Sequence, residues 1–270
     1  MNFGWDQVVY IGREDTYGVA VNPVTPLGIV IGGSLQENVD LDRERYEYGN
    51  ANTSGSARFI VQNLSMLNEF LYIVTALPSY TIAGGVGGAR AYVGSKISSV
   101  KLSLTEDFPF TAEISWESKY VTDYSISSYT YNPAPLLSLN GSESILSLRG
   151  EADYIDIYDL SINIGRDLNK KYLTSEPDEL LDSGPTYIVE GKREIVVEVT
   201  TPYAFSSVIR GIPSSSSECW LASEFIDQIE GGKITFQAPE LMLFSIEEPI
   251  VPNDLVLFKY GFKTNYCGFS

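Results

Sequence analysis

The chain reads as one plan written twice. Residues 59–79 (FIVQNLSMLNEFLYIVTALPS) and 194–214 (EIVVEVTTPYAFSSVIRGIPS) align without a gap at an offset of 135 residues (212 − 77). Val61 falls on Val196, Leu64 on Val199, Phe70 on Phe205, Ile73 on Val208 and Leu77-Pro78-Ser79 on Ile212-Pro213-Ser214. Each copy joins a short alternating run to an apolar run at helical spacing and then stops at proline, the pattern of strand, helix and boundary. Repetition at this distance predicts two domains of similar plan rather than one large one. At 270 residues the chain is long enough for both to bury a core.

The repeat extends into the strands that follow. SSVKLSLTED precedes FPFTAEISWESKY in the first half, and ELMLFSIEEP precedes VPNDLVLFKYGFK in the second. Phe110, Ala112, Ile114, Trp116 and Tyr120 alternate with Thr111, Glu113, Ser115, Glu117 and Lys119, so a strand here turns one face to a core and the other to water. Leu255, Leu257 and Lys259 alternate less strictly with Val256, Phe258, Tyr260 and Phe262. A strand apolar on both faces needs cover on both. Runs rich in Val, Ile, Thr and Tyr favour strand over helix, and the expected class is mainly β.

Histidine is absent, which excludes imidazole triads, histidine-ligated zinc and histidine proton shuttles. Cys219 and Cys267 cannot close a four-thiolate site and lack redox spacing. The carboxylates Glu106, Asp107, Glu113, Glu117, Glu151, Asp153, Asp156 and Asp159 could in principle flank a glycosidic bond. In the run from Glu151 to Asp159, the placing of Asp153 and Asp159 among Tyr154, Ile155, Ile157, Tyr158 and Leu160 reads instead as a solvated strand face. Gly84-Gly85-Val86-Gly87-Gly88 has no following Lys-Ser/Thr and reads as a loop, not a phosphate cradle. Neither an enzyme nor a cofactor protein is expected.

Charge narrows the partners. There are 35 acidic and 18 basic side chains, a formal net charge of −17. Without a basic stripe, tight nucleic-acid binding is not expected, whereas repulsion of a polyanion is. An acidic surface also serves solubility or salt adaptation. The opening MNFGWDQVVYIGRED lacks the parts of a signal peptide and no run of eighteen apolar residues occurs, so the expectation is a chain made and kept soluble inside a cell, away from membranes.

Two polar stretches, 36–57 and 166–187, precede the two copies and read as long loops. Asp40, Asp42 and Glu44 mix with Arg43 and Arg45 in the first, and Asp167 and Asp178 with Lys170 and Lys171 in the second. Mixed charge of this kind suits docking on another copy of the chain, where complementary charges set register.

The chain resembles the tail tube proteins of tailed bacteriophages and archaeal viruses, in their two-repeat version. The resemblance is carried by YIGREDTYGVAVNP (10–23), LPSYTIAGG (77–85), SKISSVKLSLTEDFPFTAEISWESKYVTD (95–123), YIDIYDLSINIGRDLNKKY (154–172) and GPTYIVEGKREIVVEVT (184–200). It covers nearly the whole chain, with residues 215–253 as its main departure. It implies two tandem tube-like β-sandwich or half-barrel domains, each with a short flanking helix. The corresponding division is an N-terminal arm at 1–27, a first repeat at 28–130, a linker at 131–152 and a second repeat at 153–270. It implies rings stacked into a hollow tube that conducts the genome, a trimer with pseudo-sixfold symmetry being favoured over a hexamer. Its partners would be further copies of itself, tail completion, baseplate and tape-measure proteins, and DNA in passage, in a virion tail assembled in the host cytoplasm. Glu113, Glu117 and Lys119 are the candidate lumen residues, and the charged residues of 36–57 and 166–187 the candidate ring-stacking contacts. A tandem-sandwich adhesion protein is the alternative of a different class.

Overall fold

The computed structural model describes residues 8–23, 25–42, 47–61, 64–72, 77–84, 89–105, 108–124, 137–138, 144–148, 151–172, 185–202, 220–227, 233–247 and 257–269. In chain order the strands of the first half are β1 (Val8–Arg13), β2 (Thr25–Asp42), β3 (Glu47–Val61), β4 (Tyr80–Gly84), β5 (Ala89–Thr105), β6 (Phe108–Ser118) and β7 (Tyr120–Tyr124), with helix α1 (Leu64–Tyr72) between β3 and β4. The strands after it are β8 (Leu137–Ser138), β9 (Ser144–Leu148), β10 (Glu151–Ile155), β11 (Asp159–Lys171), β12 (Tyr187–Thr201), β13 (Trp220–Asp227), β14 (Lys233–Ala238), β15 (Met242–Glu247), β16 (Phe258–Thr264) and β17 (Gly268–Phe269).

Alternation decides the architecture. Along β6, Phe110, Ala112, Ile114 and Trp116 are buried, while Glu113 is exposed and Ser115 and Glu117 are half-buried. A strand with one apolar face must lay it on a core, and a sheet that curls shut does so without leaving an edge. Here β5, β4, β1, β2, β3 and β6 are each hydrogen-bonded to the next, and β6 returns to β5, giving a closed six-stranded barrel. The branch point is β5. Its first part, 89–95, lies between β4 and β7, and its second part lies between β6 and β11, with Ser99 opposite Gly165 and Thr105 opposite Asp159. From β11 the sheet continues through β12 and β16 to β15.

The remaining strands, in the order β10, β9, β13, β14 and β17 with β8 beside β13, form a second sheet of six. Both sheets close over one core. Leu27, Phe59, Leu102 and Trp116 belong to the same packed cluster as Leu160, Val197, Phe236 and Phe262. Phe269 joins the barrel to the second sheet, its ring 5.6 Å from Phe110 of β6 and 5.3 Å from Phe236 of β14. The two tandem domains read from the sequence therefore appear as a barrel plus further strands on a shared core.

Three sequence expectations change. The gapless offset fails in the strands: Val61 is buried, whereas Val196 lies half-buried on the opposite face between Asn163 and Lys263. A shift of one residue exchanges the faces of a strand, so an odd misalignment inverts every side chain. The helical part of the second copy, residues 203–210, lies outside the described residues. The stretch 36–57, read as a loop, is mostly strand, 36–42 and 47–57 in the β2–β3 hairpin; of 166–187, residues 166–171 and Tyr187 are strand in β11–β12, and 173–184 lie outside the described residues. Their polar composition reflects a ladder held by backbone hydrogen bonds, which needs no apolar side chains of its own. Finally, β16 is apolar on one face only. Tyr260 and Phe262 are buried, and Lys259 and Lys263 occupy the other face.

Candidate functional site

The chemistry-bearing surface is the wet face of an unbroken run of eight strands, β2–β3–β6–β5–β11–β12–β16–β15. Cross-strand pairing places residues from all eight in one row: Gly32, Arg58, Glu113, Lys101, Asn163, Val196, Lys263 and Met242. Ser34, Ser56, Ser115, Ser99 and Gly165 make a neighbouring row of small residues. Ser34 Oγ and Ser56 Oγ are 3.1 Å apart and share a hydrogen bond. An open cavity of about 370 Å³ on the same face is lined by Ile31, Arg58, Ile60, Ser103, Thr105, Pro109 and Thr111, and a single guanidinium among small polar and apolar groups offers no catalytic pair.

The charges on this face alternate in sign. Arg58 and Lys101 flank Glu113 in the pairing register. Lys259 Nζ lies 3.1 Å from Glu198 Oε1, and Lys263 is paired with Glu194. The hydrogen bond from Lys263 is the main cause holding the Glu194 carboxyl below its ordinary pKa, followed by its positive charge. Burial pushes the Asp159 carboxyl upward, with Lys259 opposing. The face is thus laced with cations as well as carboxylates.

The predicted lumen residues separate. Glu113 is exposed on the wet face of β6. Glu117 Oε2 accepts Lys170 Nζ of β11 at 2.5 Å, and Lys170 also donates to Thr53 O at 3.3 Å. A residue predicted for the lumen is therefore joined to one predicted for ring stacking, and both brace the two halves of one chain. Lys119 stands at the bend between β6 and β7, with its N–H donating to Val93 O at 2.9 Å. Its side chain crosses Gly18 and Gly94, which have φ of +74° and +66°. A Cβ on Gly94 would come 2.8 Å from Lys119 Cβ, so both the backbone conformation and the space require glycine. Asp40 and Asp42 lie in β2, Asp167 and Lys171 are exposed in β11, and Arg43, Glu44, Arg45 and Asp178 lie outside the described residues.

Buried polar groups that the sequence reading did not single out hold this face in place. Glu14, 6% exposed, accepts Gly18 N at 2.9 Å, Thr81 Oγ1 at 2.8 Å and Gly94 N at 2.8 Å. One carboxylate thus ties the turn after β1 to β4 and β5. Glu190 of β12 accepts Lys96 Nζ at 2.7 Å and Leu77 N at 2.8 Å, with Arg166 Nη1 at 3.9 Å. Arg193 donates to Leu71 O at the C-terminal end of α1, where a cation meets the negative end of the helix dipole. Asn68 of α1 donates to Phe269 O at 2.8 Å and accepts Phe269 N at 2.9 Å, standing in for a neighbouring strand. The local signal for these roles was slight. Only Gly18, four residues after Glu14, marked a turn tight enough to need a buried acceptor.

Cys267 is a buried free thiol whose pKa burial raises to about 12; Cys219 lies outside the described residues. Among the described residues no group of three or more Cys, Asp and Glu could hold a metal ion. No helix among them is long and apolar enough to cross a membrane, a statement that does not bear on β-barrels.

The family model for phage tail tube proteins matches residues 4–210 of the chain. No curated protein matches it. That match spans the closed barrel, helix α1 and the β11–β12 hairpin, and the chain belongs to the phage tail tube protein family.

Proposed function

We propose that the chain is a structural virion protein that forms the stacked rings of a hollow tail tube and conducts the viral genome during ejection. The observation that carries this is the eight-stranded run, apolar on its inner face and mostly polar and charged on the other. Four of its strands, β2, β3, β6 and β5, belong to the closed barrel, and the run continues past it through β11, β12, β16 and β15, which suits a wall that extends beyond one barrel. Membership of the tail tube family supports the same role.

In this reading the wet face lines the lumen, with Glu113 and Glu117 among its carboxylates. Rows of Ser and Gly give DNA little to grip, and the ion pairs of Lys170 with Glu117, Lys259 with Glu198 and Lys263 with Glu194 limit phosphate binding. The hairpins β2–β3 and β11–β12 take the place of the expected stacking loops, carrying Asp40, Asp42, Asp167, Lys170 and Lys171, with Arg43, Glu44, Arg45 and Asp178 in the segments that join their strands. The chain divides functionally into a first repeat at 28–130 and a second at 153–270, with an arm at 1–27 and a linker at 131–152. Three chains with pseudo-sixfold symmetry close a ring, against six as the other arrangement. Tail completion, baseplate and tape-measure proteins are its assembly partners, in the host cytoplasm.

The experiment is negative-stain electron microscopy of the purified chain across protein and salt concentration. Hollow rods with a regular axial repeat are expected, and their rotational symmetry counts the chains per ring. A compact monomer throughout, even when supplied with tail initiator proteins, would overturn the reading.

A further inference from the structure

Two hairpins share an irregularity. In β5–β6 the register slips between Ile97 and Ser99, skipping Ser98; in β15–β16 it slips between Leu243 and Ser245, skipping Phe244. Matching the bulges places Lys96 on Met242, Ser99 on Ser245, Val100 on Ile246, Lys101 on Glu247 and Glu117 on Lys263, an offset of 146 (263 − 117). The faces agree: Trp116 and Ile114 are buried, as are Phe262 and Tyr260. A bulge re-aims a strand at a defined place, so its recurrence is a structural landmark.

From there the correspondence propagates by pairing. Glu117 faces Ser54 and Lys263 faces Val196, which puts β3 on β12 at an offset of 142 (196 − 54). Ser54 faces Gln36 and Val196 faces Asn163, which puts β2 on β11 at an offset of 127 (163 − 36). The four strands β2, β3, β6 and β5 are thus repeated as β11, β12, β16 and β15, in the same order. Within the chain the two sets join where β5 pairs with β11: Ser99 with Gly165, Val100 with Ile164 and Lys101 with Asn163. The positions equivalent to those edges are 36–38 of β2 and 245–247 of β15. Among the described residues β1 covers β2 only at 25–29, and β15 has β16 alone as neighbour. One instance of the joint is made, and both sides of a second stand open.

The geometry points to β15 of one copy pairing antiparallel with β2 of the next copy in the register of the internal joint: Ser245 opposite Asn38, Ile246 opposite Glu37 and Glu247 opposite Gln36. This rests on the tube reading and adds to it which edges meet and how. Continuity with the β5–β11 joint selects a second copy as the occupant, because this chain itself carries both matching edges. The two joints differ in chemistry. The inner one is clasped by Lys96, Glu190 and Arg166, whereas Met242 stands at the place of Lys96 in the outer one. The inner joint is permanent by covalent connection, and the outer forms only on assembly.

The test uses the full chain with Cys219→Ser, leaving the buried Cys267, and compares Gln36→Cys/Glu247→Cys and Asn38→Cys/Ser245→Cys with the shifted pair Asn38→Cys/Glu247→Cys under mild oxidation. Covalent oligomers are expected at about tenfold higher yield in the matched pairs than in the shifted one, since a disulfide tolerates only a narrow Cα separation. Rods by microscopy with no preference for the matched pairs would overturn the joint and leave the tube reading standing. Neither rods nor cross-links would overturn both. Should the double variants fail to fold, hydrogen exchange on the unmodified chain decides: backbone amides of 36–38 and 245–247 gain protection on assembly, and their unchanged exchange in intact rods would reject the pairing.

Discussion

Glu190 and Lys96, 94 residues apart in the chain, meet at 2.7 Å across the junction between the barrel and the strands that follow it. Their side chains are 18% and 14% exposed. The same carboxylate accepts Leu77 N, and Arg166 stands on its other side. Removing Glu190 leaves two cations and an amide without their shared acceptor, while removing Lys96 leaves Glu190 its other donors. Glu190→Ala is expected to cost about 3 kcal/mol and Lys96→Met about 1 kcal/mol, read as shifts of the urea midpoint. Equal losses would show that the carboxylate is not the hub.

Glu14 holds three donors from three parts of the first half. Glu14→Ala strands Gly94 N, Gly18 N and Thr81 Oγ1 and is expected to cost about 2–4 kcal/mol; Glu14→Gln, which keeps one acceptor oxygen, costs less. The Gly94 amide is the local reporter. Its hydrogen exchange should accelerate far more than that of amides in the β11–β12 ladder.

Gly94→Ala and Gly18→Ala both force an L side chain into positive φ, at about 1–2 kcal/mol. The added Cβ meets Lys119 Cβ at 2.8 Å in the first and the flexible Lys119 Cδ at 2.7 Å in the second. Gly94→Ala should be the more damaging, because a Cβ cannot swing away and a Cδ can. Thermal denaturation of the two variants, each with and without Lys119→Ala, checks this: truncating Lys119 relieves Gly18→Ala and leaves most of the Gly94→Ala defect.

Alkaline pH should unfold the protein in a definite window. Burial first, then the negative charge of Glu14, raises the Tyr17 phenol; burial first, then Glu69, raises that of Tyr80, whose hydroxyl donates to Glu69 Oε1 at 3.2 Å. A folded-state pKa above the unfolded one means stability fully present below about pH 10 and lost as pH rises beyond it. Phenolate absorbance should therefore appear in two steps, the second coinciding with loss of the far-ultraviolet strand signal. Titration of every tyrosine near pH 10 with the fold intact would contradict this.

Glu113 and Glu117 were grouped by sequence and separate by structure. Glu113→Lys changes an exposed side chain and should leave folding within about 0.5 kcal/mol of the parent. Glu117→Lys replaces an ion pair with a repulsive contact to Lys170 and should cost about 1–2 kcal/mol. In the tube reading Glu113→Lys slows genome delivery from rods of normal length. Unchanged delivery would count against a lumen position.

What the sequence determined was what a residue and its near neighbours decide. The period of two along 110–116 named the buried face of β6, and Pro78 came after the end of α1. The empty histidine count and the spread of cysteines bounded the chemistry, and the ordered strand and turn patterns carried the family. Tertiary structure decided whatever depends on register and on partners far along the chain. A gapless alignment cannot see a bulge at Ser98 or Phe244, and an odd shift exchanges inside for outside, which is why Val61 and Val196 face opposite ways. The polar strand segments 36–42, 47–57 and 166–171 read as loops because ladder hydrogen bonds belong to the backbone, which has no sequence signature of its own. Glu14 and Glu190 look like ordinary surface acids until folding brings donors to them from 80 and 113 residues away. Local periodicity is written in composition, whereas the pairing of edges is settled only when the whole sheet closes.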